Sequence, residues 1–148
     1  MAVIRITKQF TFEMAHALAD YDGLCKNIHG HSYKMDVTVK GLPVSSEFSP
    51  KKGMLIDFGD LKKIVHETII NKVDHALVLN NTTYTKLLDL LKENFEKIVV
   101  VPYQPTTENM LEDFANRLIQ VFPDNIKLYS IRIRETDSSY AEWFADDN

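Results

Sequence analysis

The chain has 148 residues, of which 45% are hydrophobic and 26% are charged, a balance that predicts one globular domain over residues 1–148. Lys and Arg number 17 against 21 Asp and Glu, and no basic block could follow a phosphate backbone, so we expect no nucleic-acid partner. A single cysteine cannot form an intrachain disulfide, and no apolar run approaches the ~20 residues of a membrane span. We therefore expect no membrane association and a reducing, cytoplasmic setting.

The first part of the chain alternates between apolar and polar residues, which predicts a long, half-buried strand. The apolar positions of one parity are Ile4, Ile6, Phe10, Phe12 and Met14. His16 continues this parity and is expected at the end of the buried face. A turn-forming segment at residues 20–23 precedes a second alternating segment, Tyr33 to Val39. The two strands pair most simply as an antiparallel hairpin.

Three of the five histidines lie within sixteen consecutive positions, at His16, His29 and His31. If the second strand begins near His29, the side chains of His29 and His31 project from the same face. The hairpin brings His16 to the same end of the sheet. Three neutral imidazoles around Zn²⁺ leave a fourth position open, which is the arrangement of a catalytic zinc site.

Cys25, the only cysteine, has two possible roles beside these histidines. Its sulfur could be a fourth ligand, which would close the site and make it structural. Alternatively it lies near the ion without binding it, where the positive field favours a thiolate base or nucleophile. Structural zinc sites are usually rich in thiolates, which favours the second role. Unrelated surface histidines are a third possibility, which the shared parity of His29 and His31 disfavours.

A helix is predicted from Asp57, because apolar residues recur at helical spacing after it. They are Leu61, Ile64, Val65, Ile69 and Val73. The helix should end near Asp74 and His75. An acid next to an imidazole can be a local hydrogen bond only, or it can orient a catalytic imidazole. The residues alone leave both alternatives open.

The second half of the chain begins with a connecting insertion, residues 81–97, with a short helix around residues 87–91. Ile98–Val101 is predicted to be a buried strand that ends at Pro102. Thr106 is a good N-cap for the next helix. The apolar stripe of that helix consists of Leu111, Phe114, Ala115, Leu118, Ile119 and Phe122.

A further strand is predicted from Leu128 to Glu135, in which Ile131, Ile133 and Glu135 share a face. A carboxylate at the end of an apolar face is costly unless it is paired or binds a ligand. An ion pair with a nearby Arg or Lys and a binding role therefore both remain open for Glu135. Residues 140–144 can add a last edge strand.

These elements predict an α+β fold, with a four-stranded antiparallel sheet and two main helices packed on one of its faces. Such a sheet has edges that neighbouring subunits commonly cover. We therefore expect a ring-like homo-oligomer whose interior is lined by the polar face of the sheet.

A set of motifs extends over nearly the whole chain. They are Phe12-x-x-x-His16, Cys25-x-x-x-His29-Gly30-His31, Asp57-Phe58, Asp74-His75, Pro105-Thr106-Thr107-Glu108-Asn109 and Arg134-Glu135-Thr136. Together they resemble the 6-pyruvoyl-tetrahydropterin synthase family. The resemblance implies the T-fold (tunnelling fold) and hexamers of two trimeric rings with sites between subunits. The three-residue gap between Cys25 and His29 is similar to the bacterial branch, the 6-carboxytetrahydropterin synthases of queuosine biosynthesis.

The resemblance also implies a role for each motif residue. It implies zinc ligands at His16, His29 and His31, a proton-abstracting base at Cys25, and a relay at Asp74 and His75 from a neighbouring subunit. Glu135 would anchor a pterin by accepting paired N–H bonds from its amidine edge, with Thr106 and Thr107 at the rim of the site. The segment between Ile70 and Val99 is longer than in compact members of the family.

The implied activity is that of a zinc-dependent lyase acting on 7,8-dihydroneopterin triphosphate, a small-molecule pterin triphosphate. The expected products are 6-carboxy-5,6,7,8-tetrahydropterin, acetaldehyde and triphosphate. An alternative is earlier elimination of triphosphate to the 6-pyruvoyl product of tetrahydrobiopterin synthesis. A non-catalytic pterin-binding or structural zinc protein is an alternative of another class, but binding alone needs none of Cys25, Asp74 and His75.

Overall fold

One mixed sheet forms the centre of the fold. The computed structural model of the chain describes residues 1–82 and 85–148, and within them six strands pair in the order β4-β3-β1-β2-β5-β6. The strands are β1 (Ile4–His16), β2 (His29–Gly41), β3 (Ala76–Asn80), β4 (Ile98–Val101), β5 (Ile126–Thr136) and β6 (Ser139–Phe144). The α+β class is confirmed.

The predicted hairpin of β1 and β2 is confirmed, and it is antiparallel along its whole length. Its register runs from the Ile4–Gly41 pair at one end to the His16–His29 pair at the other. Phe10, Phe12 and Met14 are buried on the inner face, as the alternating pattern requires. The hairpin therefore fixes which residues meet at its histidine end.

The prediction of four antiparallel strands is wrong. Strand β3 was not predicted. Strand β4 was predicted as a strand but was not included in the sheet. In the structure, β3 pairs in parallel with both β1 and β4. The reason lies in the pattern of β3, a short apolar run without alternation. Such a run is typical of a parallel strand that is buried on both faces and is easily taken for the end of a helix.

The two main helices pack on one face of the sheet, as predicted. Helix α1 (Phe58–Val65) is capped by the Asp57 carboxylate, which accepts from the Gly59 N–H, and it continues through a π-helical turn (His66–Ile70) to Asn71–Val73. Helix α3 (Thr107–Ile119) begins at Thr106, whose hydroxyl accepts from the Asn109 N–H. No helix within the described part of the chain combines the length and apolarity needed to cross a membrane.

The insertion at residues 81–97 contains helix α2 (Thr85–Asn94), while residues 83 and 84 of this prediction lie outside the described residues. Leu88 of α2 packs with Ala17 and with Leu79 of β3, in a cluster separate from the main core. Ala76 and Val78 of β3 point into the main core instead. Because neighbouring residues of a strand face opposite sides, α2 covers the outer face at this edge of the sheet.

Two neighbouring residues at the end of α3 differ in burial. Leu118 is fully buried, whereas Ile119, which was predicted to share the stripe, is 52% exposed. Ile119 is the last residue of the helix, and a step of one residue turns its side chain by about 100° from Leu118.

Replacing Leu118 by Ala should lower the free energy of unfolding by about 2–5 kcal/mol, because it leaves a cavity in the main core. Ile119→Ala, which removes a similar side chain one position away, should cost less than about 1 kcal/mol. Urea unfolding at a fixed protein concentration measures both. Equal losses would contradict the placement of α3 on the sheet.

Candidate metal centre

Three histidine rings meet at one end of the β1–β2 hairpin. The centroids of His16 and His29 are 4.6 Å apart, those of His29 and His31 are 5.0 Å apart, and those of His16 and His31 are 5.4 Å apart. Glu135, near the end of β5, completes a group in which one ligand atom of each residue lies within 4.8 Å of all the others. The predicted convergence of the three histidines is present in the structure.

The backbone fixes the tautomers of two of these rings. Nδ1 of His16 lies 2.7 Å from the carbonyl oxygen of Pro105, and Nδ1 of His29 lies 2.7 Å from that of Asn27. A carbonyl oxygen only accepts, so each Nδ1 carries the proton and donates it. Burial lowers the pKa of His16, against the opposing effect of the hydrogen bond to Pro105, and this favours the neutral ring. With the proton of each ring on Nδ1, the neutral form of either ring has a free lone pair on Nε2.

These free lone pairs are what a metal ion would use. Nε2 of His16 and Nε2 of His29 lie 3.1 Å apart, and with both Nδ1 atoms protonated no proton joins them. Two zinc-bound nitrogens at ~2.0–2.1 Å in a tetrahedral site are about 3.3 Å apart. Nε2 of His31 is buried, makes no hydrogen bond among the described residues and lies 2.8 Å from Oε1 of Glu135. The donor set fits a divalent cation.

Glu135 faces the histidines. Among the described residues it forms no ion pair with a Lys or Arg. Its Oε1 is 2.8 Å from Nε2 of His31 and 3.8 Å from Nε2 of His16, and its Oε2 accepts a hydrogen bond from the hydroxyl of Thr107. The ion pair with a basic residue, left open by the sequence, is therefore not formed within the described chain. Glu135 can ligate a metal or bind a ligand beside it, and its role as a pterin anchor stays a prediction.

A small cavity of about 120 Å³ adjoins Glu135 on the side of helix α3. Its lining residues are Thr107, Glu108, Glu135, Ser139, Tyr140 and Ala141. Thr107 is buried, whereas the side chain of Thr106 caps α3. Of the two threonines predicted at the rim, Thr107 thus contacts Glu135 and Thr106 serves mainly the helix.

Cys25 lies in a short 3₁₀ turn (Leu24–Lys26) just before β2 and is half-buried. Its carbonyl accepts from the N–H of Leu18 at 2.9 Å, which ties the turn to the end of β1. The cluster of ligand atoms found among the described residues does not include its sulfur. The structure therefore does not form the closed site of one cysteine and three histidines.

Tyr33 lies beneath the cluster, fully buried, with its ring 5.4 Å from that of His31. Burial raises its pKa, and the charges of Glu135 and Cys25 raise it further. Its hydroxyl has no hydrogen-bond partner among the described atoms.

Asp74 and His75 form an acid–imidazole pair on a tight turn after α1. Oδ2 of Asp74 is 3.1 Å from Nδ1 of His75, and His75 has a left-handed backbone with φ of 61°. The backbone of Glu13 holds both residues: its N–H donates to Oδ1 of Asp74 at 2.9 Å, and its carbonyl accepts from the His75 N–H at 2.6 Å. Desolvation opposes ionisation of Asp74, but the hydrogen bonds from Glu13 and His75 outweigh it and lower the pKa of Asp74.

The pair is open to solvent. The His75 side chain is 77% exposed and borders a cavity of about 360 Å³ with Glu13, Ala15 and Ser32. Among the described residues, no hydrogen bond or ion pair joins His75 to Cys25 or to the histidine cluster. The prediction that a neighbouring subunit brings this pair to Cys25 stays a prediction.

Sequence reasoning missed the groups that orient these side chains. Pro105 and Asn27 act through backbone carbonyls, and Glu13 acts through its peptide unit. A backbone group leaves no side-chain pattern, so only the folded structure reveals these groups.

Comparisons with known proteins identify the family of the chain. The model of the 6-pyruvoyl tetrahydropterin synthase family matches residues 5–146. The chain is 37% identical over 143 residues to 6-carboxy-5,6,7,8-tetrahydropterin synthase of Haemophilus influenzae, covering 95% of this chain and 99% of the relative. It is 31% identical over 147 residues to human 6-pyruvoyl tetrahydrobiopterin synthase, covering 91% of this chain and 87% of the relative.

A solved structure shows the same fold. The 6-pyruvoyl tetrahydropterin synthase of Caenorhabditis elegans superposes with a TM-score of 0.68 at 24% identity, over 98% of this chain and 97% of that one. The protein is thus an α+β member of the tetrahydropterin synthase class. The chain belongs to the 6-pyruvoyl tetrahydropterin synthase family, as the resemblance predicted.

We expect the purified protein to carry about one zinc ion per chain. His29→Ala should lose the metal, because one of three converging nitrogens is removed. His66→Ala is the matched control, since His66 lies in the π-helical turn after α1, where its ring packs against Phe10 and is not part of the cluster. Elemental analysis after dialysis measures the ratio, and full occupancy in His29→Ala would rule out this ligand set.

Proposed function

We propose that the chain is a zinc-dependent 6-carboxy-5,6,7,8-tetrahydropterin synthase. It would convert 7,8-dihydroneopterin triphosphate and one water into 6-carboxy-5,6,7,8-tetrahydropterin, acetaldehyde and triphosphate, a lyase step in queuosine biosynthesis. The observation that carries the proposal is the convergence of three imidazole nitrogens, two of them held in the ligating tautomer, in a chain 37% identical to a 6-carboxytetrahydropterin synthase.

The residues divide the chemistry among them. A zinc ion held by His16, His29 and His31 would polarise the hydroxyl groups of the substrate's side chain and stabilise negative charge there. Cys25, in its half-buried turn, takes the proton from the adjacent carbon as a thiolate.

The Asp74–His75 pair passes that proton on. The Asp74 carboxylate orients the His75 ring, as an acid does for a catalytic imidazole.

The substrate is oriented from the other side of the cluster. Glu135 accepts two N–H bonds from the pterin's amidine edge, a charge-assisted pair, while Thr107 holds one of its oxygens in place. The small cavity beside Glu135 supports this position for the ring.

The second candidate is the 6-pyruvoyl activity, which the name of the human relative describes. The same residues serve both reactions, because both begin with proton transfer beside the metal. The higher identity to the Haemophilus relative and the three-residue gap between Cys25 and His29 favour the carboxy product.

We further propose a hexamer of two trimeric rings in the cytoplasm. Strands β4 and β6 are the two edges of the described sheet, and pairing with neighbouring subunits would satisfy their backbone groups. Such pairing would also let one subunit bring His75 to the Cys25 of the next. The free cysteine is in keeping with a reducing compartment.

The wild-type protein with zinc should convert 7,8-dihydroneopterin triphosphate to the 6-carboxy product and acetaldehyde, which chromatography with mass detection identifies. Cys25→Ala should keep its zinc and bind the pterin but lose turnover by at least ~100-fold, because the base is removed while the three imidazoles remain. A 6-pyruvoyl product would establish the second candidate. Loss of zinc from Cys25→Ala would show that Cys25 is a ligand instead.

Glu135→Gln should weaken pterin binding by roughly 2–4 kcal/mol, because an amide N–H₂ faces a donor where an acceptor is needed. Zinc content and assembly should not change. Calorimetric titration of a pterin measures the affinity, with Glu93→Gln on helix α2 as the control. Unchanged affinity would remove Glu135 as the anchor, and loss of zinc would assign it to the metal. Weakening only in Glu108→Gln would move the anchor to that carboxylate.

A further inference from the structure

Lys97 is the last residue of the insertion and immediately precedes strand β4. It is half-buried, and its carbonyl accepts from the N–H of Leu77 in β3 at 3.0 Å. Its ammonium donates to two backbone carbonyls, those of Asn71, at 2.9 Å, and of Asp74. Among the described ion pairs it has no carboxylate partner. The side chain therefore spans from the edge of the sheet to the last helical turn, Asn71–Val73, and the residue after it.

The position of the ammonium has a direct physical explanation. The last carbonyls of a helix lack intrahelical partners and carry partial negative charge, so a cation is favoured there. One of its two acceptors is the carbonyl of Asp74, however, which belongs to the turn and not to the helix. Lys97 consequently ties the Asp74–His75 turn to the sheet.

The turn needs such support because of its backbone. A left-handed backbone is strained for a non-glycine residue such as His75, and it persists only where its surroundings hold it. The peptide unit of Glu13 holds the turn from β1, through the Asp74 carboxylate and the His75 N–H. Lys97 holds the same turn from the opposite direction, through the Asp74 carbonyl.

We propose that Lys97 is a positioning residue for the Asp74–His75 pair, fixing the turn so that the imidazole is presented at one angle. This rests on the proposed function, in which the pair relays the proton from Cys25. It also gives the insertion a role, since the insertion supplies the residue that fixes this turn.

A lysine that only caps the helix would behave differently from a positioning residue. It would change stability and leave the catalytic constants of the folded enzyme unchanged. A positioning residue should change kcat without changing KM, because the hydrogen bonds that the Lys97 ammonium makes among the described residues go to backbone carbonyls and not to the substrate. Lys97 also affects the pH profile of kcat, because its charge faces the Asp74–His75 pair. The other titratable groups that face the pair are Glu13, His31 and Glu96.

The experiment compares three variants of the zinc-loaded protein. Lys97→Met keeps the aliphatic stem without the charge and should lower kcat roughly tenfold, with KM and zinc content unchanged. Lys97→Arg should recover most of the activity, because a guanidinium can donate to both carbonyls. Lys92→Met, an exposed lysine of helix α2, should match the wild type. Unaltered kcat in Lys97→Met, with only a lower Tm, would overturn the proposal.

A second measurement does not depend on turnover. The carboxyl titration of Asp74, followed by carbon NMR and assigned with Asp74→Asn, should move up by about 0.3–0.5 pH unit in Lys97→Met, the effect of one unit charge several ångström away in water. The acidic limb of the kcat profile should move in the same direction. If the wild type lacks turnover, the proposed function fails, while this titration still tests Lys97. If the carboxyl titration of Asp74 is the same in Lys97→Met as in the wild type, Lys97 is not coupled to the Asp74–His75 pair and the proposal is overturned.

Discussion

The repulsion between two imidazole nitrogens is the constraint on which the functional end of the molecule depends. Nε2 of His16 and Nε2 of His29 face each other at 3.1 Å, and backbone carbonyls hold the proton of each ring on the far nitrogen. Only a cation between them turns this repulsion into binding. The arrangement follows from the register of one hairpin, because His16 pairs directly with His29. A slip of one residue would turn every side chain of one strand to the opposite face.

Strand β1 links the histidine cluster to the acid–imidazole pair. Its last residue, His16, faces inward to the cluster, while the peptide unit of Glu13, three residues earlier, holds Asp74 and His75 at the edge of the strand. The parallel pairing of Met14 with Ala76 continues this contact into β3. The positions of both groups therefore depend on a single strand, which fixes the distance between them within the chain.

Much of this arrangement could be predicted from the sequence, because alternation and helical spacing are strong local signals. The hairpin, the two main helices and the three histidines follow from them. Strand β3 could not be predicted, since its short apolar run has no period and forms only because β1 and β4 flank it. The place of Glu135 beside His31 depends on the pairing of β2 with β5, and the orienting carbonyls of Pro105 and Asn27 have no side-chain signature.

The left-handed backbone of His75 determines which substitutions can be interpreted at this position. Alanine and β-branched residues resist a φ near 61°, so their effect would combine the loss of the imidazole with a displaced turn. Asparagine adopts this conformation readily and has no titratable ring, so His75→Asn removes the imidazole and leaves the main chain in place. Variation among natural relatives at this position is open to the same interpretation: asparagine or glycine there would point to a loss of chemistry with the turn retained.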